Sequence, residues 1–168
     1  MSSPPLRAVF DCNVFLQGLS NANGPAGRCI SAVLDGRILL CMNDFIIDEL
    51  VEAAESPKVC RKLRLLPSRV RELLDELDKV ASFIGPAPQV FRYDRDPDDA
   101  QYINNIALAS GAQIIVSRDK DLLDLMAHRV RRAVPLWLGF PRFASSIRLP
   151  SYESFRRRPR PCHPSDWI

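Results

Sequence analysis

Two short apolar runs, LRAVF at residues 6–10 and RILLCM at 37–42, flank a segment in which Cys29, Ile30, Val33 and Leu34 recur at helical spacing and Gly36 ends the pattern. A strand, a helix and a second strand in that order make a crossover, and crossovers join parallel neighbours. The chain is thereby confined to α/β folds whose sheet is at least partly parallel.

The rest of the chain continues the alternation. Asn43 is a good N-cap for a helix to about residue 56, with Phe45, Ile46, Leu50 and Ala53 or Ala54 as its apolar stripe, Glu49 beside them and Pro57 closing it. A basic segment at 58–64 leads into Pro67-Ser68, after which Val70, Leu73, Leu74, Leu77, Val80 and Ala81 keep the ladder of an amphipathic helix. GPAP at 85–88 is a connector, and residues 89–93 read as a third strand. Asp96 then serves as N-cap, with Pro97 at the first helical position and Asp99 in the first turn. Gly111 is placed to end that helix in a left-handed conformation. QIIVS at 113–117 is a buried strand, 122–127 a short helix and VPLWL at 134–138 a final strand. The expected architecture is a three-layer α/β/α sandwich with a mainly parallel central sheet in residues 1–140, followed by an Arg/Pro-rich extension at 141–168.

Composition limits what such a chain does. A length of 168 residues with 46% hydrophobic content suits one domain with a substantial core. No apolar run approaches the roughly 18 residues that span a bilayer, and MSSPPLR lacks the basic start and apolar h-region of a signal peptide, so a cytoplasmic protein with no membrane partner is expected. Cys12, Cys29, Cys41, Cys60 and Cys162 are odd in number and show no C-x-x-C pair, which argues against a disulfide framework or a zinc site and for buried thiols. The net charge of +3 resides in the tail: from Arg142 onward six Arg face Glu153 and Asp166, while residues 1–141 carry 17 basic and 18 acidic groups. Six of the 14 prolines lie between Pro135 and Pro164, and a stretch so poor in apolar periodicity does not pack as a domain of its own.

Asp11 and Asp119 each follow an apolar strand directly, Glu49 lies one turn into the helix after the second strand, and Asp99 heads the helix before the strand of Asp119. In open α/β sheets, ligands bind beyond the carboxyl ends of the strands. Four carboxylates converging on that rim repel one another unless a cation neutralises them. An all-oxygen set suits Mg²⁺ or Mn²⁺, the ions that activate water against a phosphodiester. Taken singly, the acids have plainer explanations: 96–99 as a capped helix start and Glu49 as a solvated helix residue. Asp11 is harder to dismiss, because an acid between VF and an apolar continuation is costly to bury unpaired.

AVFDCNVFLQGL, IIDELVEAAESPKV, DPDDAQYINNIALASGA and IIVSRDKDLLDL together resemble the PIN domain, a metal-dependent ribonuclease fold common among the toxins of bacterial toxin–antitoxin pairs. The resemblance covers about residues 9–125. It implies that Asp11, Glu49, Asp99 and Asp119 are the catalytic and metal-binding acids, that Asn13 and Ser117 support them by hydrogen bonds, and that RNA is the substrate. DPDD and SRDKDLLDL resemble the toxin subgroup, which implies a cognate antitoxin protein, and a homodimer is compatible with the family. Cys12 stands where the family commonly has Thr or Ser. Asp98 competes with Asp99, and Asp121 is able to share the role of Asp119.

Arg156, Arg157 and Arg158 with Tyr152, Phe155 and Trp167 suit RNA backbone and base stacking, or equally a solubilising tail. His128 and His163 are not candidates for ligand or base. The expected function is thus a metal-dependent endoribonuclease in which Asp11, Asp99 and Asp119 position the ion and Glu49 orients or deprotonates water. A catalytically inactive PIN-like module binding RNA or protein is the alternative. A third reading follows from DCNVF, which is similar to the strand-end nucleophile of haloacid-dehalogenase-type phosphoryl transfer, except that Asn13 stands where that class has a second Asp.

Overall fold

The sheet forms around β1, Leu6–Phe10, whose last three residues are buried. The computed structural model describes residues 5–127 and 145–148. In chain order the elements after β1 are α1 (Cys12–Ser20), α2 (Pro25–Leu34), β2 (Ile38–Met42), α3 (Asp44–Glu55), α4 (Pro57–Leu63), α5 (Pro67–Leu77), β3 (Ser82–Phe83), α6 (Ala100–Ser110), β4 (Ile114–Ser117), α7 (Lys120–Ala127) and β5 (Ser145–Arg148). The strand order is β3-β2-β1-β4-β5; β1 pairs in parallel with β2 and β4, β2 in parallel with β3, and β5 runs antiparallel to β4. The architecture is the expected α/β/α sandwich with a mainly parallel sheet. From β1 the chain builds outward to β2 and β3 on one side and then returns to β4 on the other, so the order reverses between β1 and β4. That reversal opens a crevice at the carboxyl ends of these two strands.

Helix α6 packs against β1, β2 and β4, while α1 packs with α2, α3, α4 and α5. Phe10, Phe15, Leu40, Met42, Ile46, Leu50, Leu77, Ile103, Ile106, Ile115 and Leu122 are the largest fully buried side chains and come from both strands and helices. Burying each such side chain contributes on the order of 1.5–3 kcal/mol. The turn between α1 and α2 folds back closely on α2 at Gly27, where a Cβ would collide with the backbone carbonyl of Ala22. At the end of α6, Gly111 adopts φ 64°, the left-handed stop expected of it. Among the described residues, Cys12, Cys29 and Cys41 are buried, all four cysteines are free, and no helix is long and apolar enough to cross a membrane.

Three expectations change. The third strand is Ser82–Phe83, which pairs with Cys41 and Met42, and residues 89–93 form no strand. Backbone amides there are satisfied by a side chain: Asn105 Oδ1 accepts the Val90 and Phe91 amides at 2.9 and 2.8 Å. The basic segment is a helix, α4, capped by Ser56 and led by Pro57. Finally, α6 begins at Ala100 rather than at Pro97. The strand expected at 134–138 lies outside the described residues, as do His128, His163, Cys162 and the Arg156–Arg158 cluster. Ser145–Arg148, within the expected extension, pairs with β4.

Candidate metal centre

The ladder between β1 and β4 sets the first contact of the site. Ala8, Val9 and Phe10 pair with Ile114, Ile115 and Val116, and continuing that register brings Asp11 level with Ser117. The Asp11 amide donates to the Val116 carbonyl at 3.0 Å, and Ser117 Oγ donates to Asp11 Oδ2 at 2.6 Å. Asp11 is also the N-cap of α1: its Oδ1 accepts the Asn13 amide at 3.2 Å, and Asn13 Nδ2 reaches Oδ2 at 3.5 Å. The side chain is fully buried. Burial pushes its pKa up, bonds from Ser117 and Asn13 oppose that shift, and Asp119 adds to it.

Glu49 comes from the second turn of α3, which Asn43 caps at the end of β2 by accepting the Ile46 amide. Asp99 comes from the residue just before α6. It does not cap that helix with its side chain. Asp96 Oδ1 accepts the Asp99 amide at 3.2 Å, so capping is done one turn earlier and the Asp99 carboxylate is released toward the sheet. Phe45 stacks on Tyr102 with ring centroids 4.4 Å apart and planes 8° from parallel. Phe45 lies four residues from Glu49 and Tyr102 three from Asp99, so the stack ties the two helices together one turn from each acid.

Carboxylate oxygens of Asp11, Glu49 and Asp99 lie within 4.8 Å of one another. Among the described residues, Glu49 Oε2 and Asp99 Oδ1 are buried with no hydrogen-bond partner. Burial first, and then the charges of Asp99 and Asp11, push Glu49 up to about 7. Burial first, and then Asp11, Asp96 and Asp119, push Asp99 up to about 7. The Cys12 thiol, buried beside the cluster, is driven up by burial and by Glu49, Asp11 and Asp99. It stays protonated and adds no charge.

Of the four acids singled out from the sequence, three meet in this group. Asp119 falls in a second one, with Asp96 and Asp121, whose oxygens also lie within 4.8 Å of one another. It is still near enough to raise both Asp11 and Asp99 by its charge. Asp98 is exposed, whereas Asp99 turns inward. Asp121 is held away by Arg95, whose guanidinium lies 2.9 Å from Asp121 Oδ1. An open space of about 510 Å³ beside Asp119 and Asp121 is bordered by Asn13, Gln17, Arg118 and Lys120. Asn105 escaped notice in the sequence; the available signal was two adjacent asparagines inside an otherwise apolar helix, where Asn is unfavourable unless it has partners.

A partly buried group of three carboxylates with two buried oxygens lacking any donor fits a hard divalent cation, which would satisfy those oxygens and cancel the repulsion. Comparisons with known proteins agree with that chemistry. Residues 7–121 match the PIN domain. The uncharacterized protein MJ1680 of Methanocaldococcus jannaschii is 33% identical over 125 residues, which are 74% of this chain and 78% of the archaeal protein. The chain belongs to the PIN domain family.

Proposed function

We propose that this protein is a Mg²⁺- or Mn²⁺-dependent endoribonuclease that hydrolyses RNA phosphodiester bonds. Family membership supports nuclease-type chemistry, and one observation supports the metal: the donorless, buried oxygens of Glu49 and Asp99 beside Asp11. Asp11, Glu49 and Asp99 would hold the ion, with Asp119 at the rim. When bound, the ion supplies Lewis-acid polarisation of the phosphoryl oxygen and a lowered pKa for water.

The chain's own groups perform the remaining tasks. Ser117 and Asn13 orient the Asp11 carboxylate from two sides. Ser117 Oγ also accepts the Asp119 amide at 2.9 Å, so one hydroxyl couples the first acid to the last. Glu49 is the general base of the proposal: its carboxylate, beside those of Asp11 and Asp99, is placed to take a proton from the attacking water. Arg118 and Lys120, both exposed next to Asp119, offer positive charge to the phosphates on either side of the scissile bond. A covalent acyl-phosphate on Asp11 is disfavoured, because both of its oxygens already accept hydrogen bonds in a buried setting.

The same proposal gives the protein the part of the toxin in a toxin–antitoxin pair, restrained by a small cognate antitoxin in the cytoplasm; DPDD and SRDKDLLDL support it. Cleavage of a mixed RNA substrate by wild type and Asp11→Asn, with Mg²⁺ or Mn²⁺ titrated in and EDTA added, tests the chemistry. Loss of cleavage in the variant and on chelation is expected. Full metal-dependent cleavage by Asp11→Asn, or cleavage that survives chelation, would overturn the mechanism.

A further inference from the structure

Asp99 presents a physical difficulty. Its Oδ1 is buried without a donor, and Asp11, Asp96 and Asp119 all repel it. No hydrogen bond to that oxygen holds it in the cluster, so its position has to come from its backbone. That backbone is joined through the turns at 94–98 to residues 89–93, a stretch that forms no strand among the described residues.

Asn105, fully buried in α6, supplies what the sheet does not. Its Oδ1 accepts the amides of Val90 and Phe91, and its Nδ2 donates to the Phe91 carbonyl at 2.9 Å and to Gln89 Oε1 at 3.3 Å. One turn earlier, Gln101 Oε1 accepts the Tyr93 amide at 2.8 Å, and the Gln101 carbonyl in turn accepts Asn105 Nδ2 at 2.9 Å. Two side chains on one helix face thus replace a neighbouring strand. The hold continues without a gap: the Asp96 amide donates to the Tyr93 carbonyl, the Asp96 carbonyl accepts the Gln101 amide, and Asp96 Oδ1 accepts the Asp99 amide.

We infer that Asn105 is a positioning residue of the metal centre, fixing the 89–99 segment on α6 so that the Asp99 carboxylate is kept among like charges; this rests on the metal reading above. Asn105 bonds to Gln89, Val90, Phe91 and Gln101 and to none of the three acids. Its contribution is therefore read in metal affinity and in local backbone protection.

The test compares wild type, Asn105→Leu, Gln101→Leu and Leu77→Ala by isothermal titration with Mn²⁺ and by amide hydrogen exchange. Leu77 is buried in α5 and controls for a general loss of stability. Asn105→Leu should lose exchange protection across 90–99 and bind Mn²⁺ about tenfold more weakly, the scale of an outer-shell change. Leu77→Ala should keep wild-type Mn²⁺ affinity at a temperature where it is folded. Should Asn105→Leu not fold, Gln101→Leu removes the bonds to the Tyr93 amide and to Gln89 Oε1 and should show the same two effects in smaller measure. Unchanged Mn²⁺ affinity in whichever variant has lost protection at 90–99, or unchanged protection, would overturn the role of Asn105. Failure of the wild type to bind Mn²⁺ would overturn the metal centre itself, and the exchange arm would still decide whether Asn105 holds the segment.

Discussion

Among the described residues, two groups of three carboxylates each have oxygens no more than 4.8 Å apart, yet they make opposite demands on their surroundings. In the second group each acid has a protein donor: Arg95 pairs with Asp121 at 2.9 Å, the Asp121 amide donates to Asp119 Oδ1 at 2.6 Å, and the Asp99 amide donates to Asp96. Arg95 also reaches Asp124 at 3.5 Å and lies over the Tyr93 ring. In the first group the donors stop at Asp11, and buried oxygens of Glu49 and Asp99 are left bare. Proximity of acids therefore says little about a metal. What separates a cation site from a self-neutralised surface is whether the protein has already supplied the donors.

Substitutions sharpen that contrast in order of size. Glu49→Gln should lower kcat of RNA cleavage by about 10²–10⁴-fold with little change in KM, the range of a lost general acid or base. A steady-state assay at saturating Mn²⁺ measures it. Asp119→Asn should cost about 10–100-fold in metal affinity or activity, because it sits at the rim of the first group, whereas Asp121→Asn should cost less, because Arg95 already occupies that carboxylate. Equal losses in the two variants would break the distinction between the groups.

Stability provides the next probe. Adding Mn²⁺ at about 100 times its dissociation constant should stabilise the fold by about 2.7 kcal/mol, and Asp99→Asn should abolish most of that gain in a thermal melt. Without metal, the pH dependence has a defined sign. The ordinary pKa values of Glu49 and Asp99 are 4.5 and 3.8, and both rise to about 7 in the fold. Between those limits the folded state binds more protons than the unfolded one, so stability falls as pH rises from about 4 to about 7 and levels off above. Melting curves in EDTA from pH 5 to 8 should show the midpoint dropping, and saturating Mn²⁺ should reduce the drop by holding the carboxylates ionised. Arg95→Ala should have the smallest effect, within about 1 kcal/mol, since its ion pairs are largely exposed.

Much of this arrangement was legible before any coordinates. The crossover from residues 6–10 to 37–42, the Asn43 cap, the Gly111 stop and the strand at 114–117 follow from apolar period and terminal residues, which act locally. Residues 89–93 have the composition of a strand without being one, because a short, partly apolar stretch reads the same whether its amides face a neighbouring strand or an asparagine. The two-residue β3 is too short to have a period at all, and α4 was hidden by its charges.

What the sequence determined by itself is the parallel α/β scaffold and the presence of acids at the carboxyl ends of its strands, because hydrophobic periodicity and helix caps are properties of neighbouring residues. Tertiary structure alone decided that Asp119 lies with Asp96 and Asp121, and that Arg95 neutralises one group while the other is left bare. Those outcomes depend on which donors arrive from distant parts of the chain. Asn105 reaches back 14 residues to Phe91, and Ser117 meets Asp11 across 106.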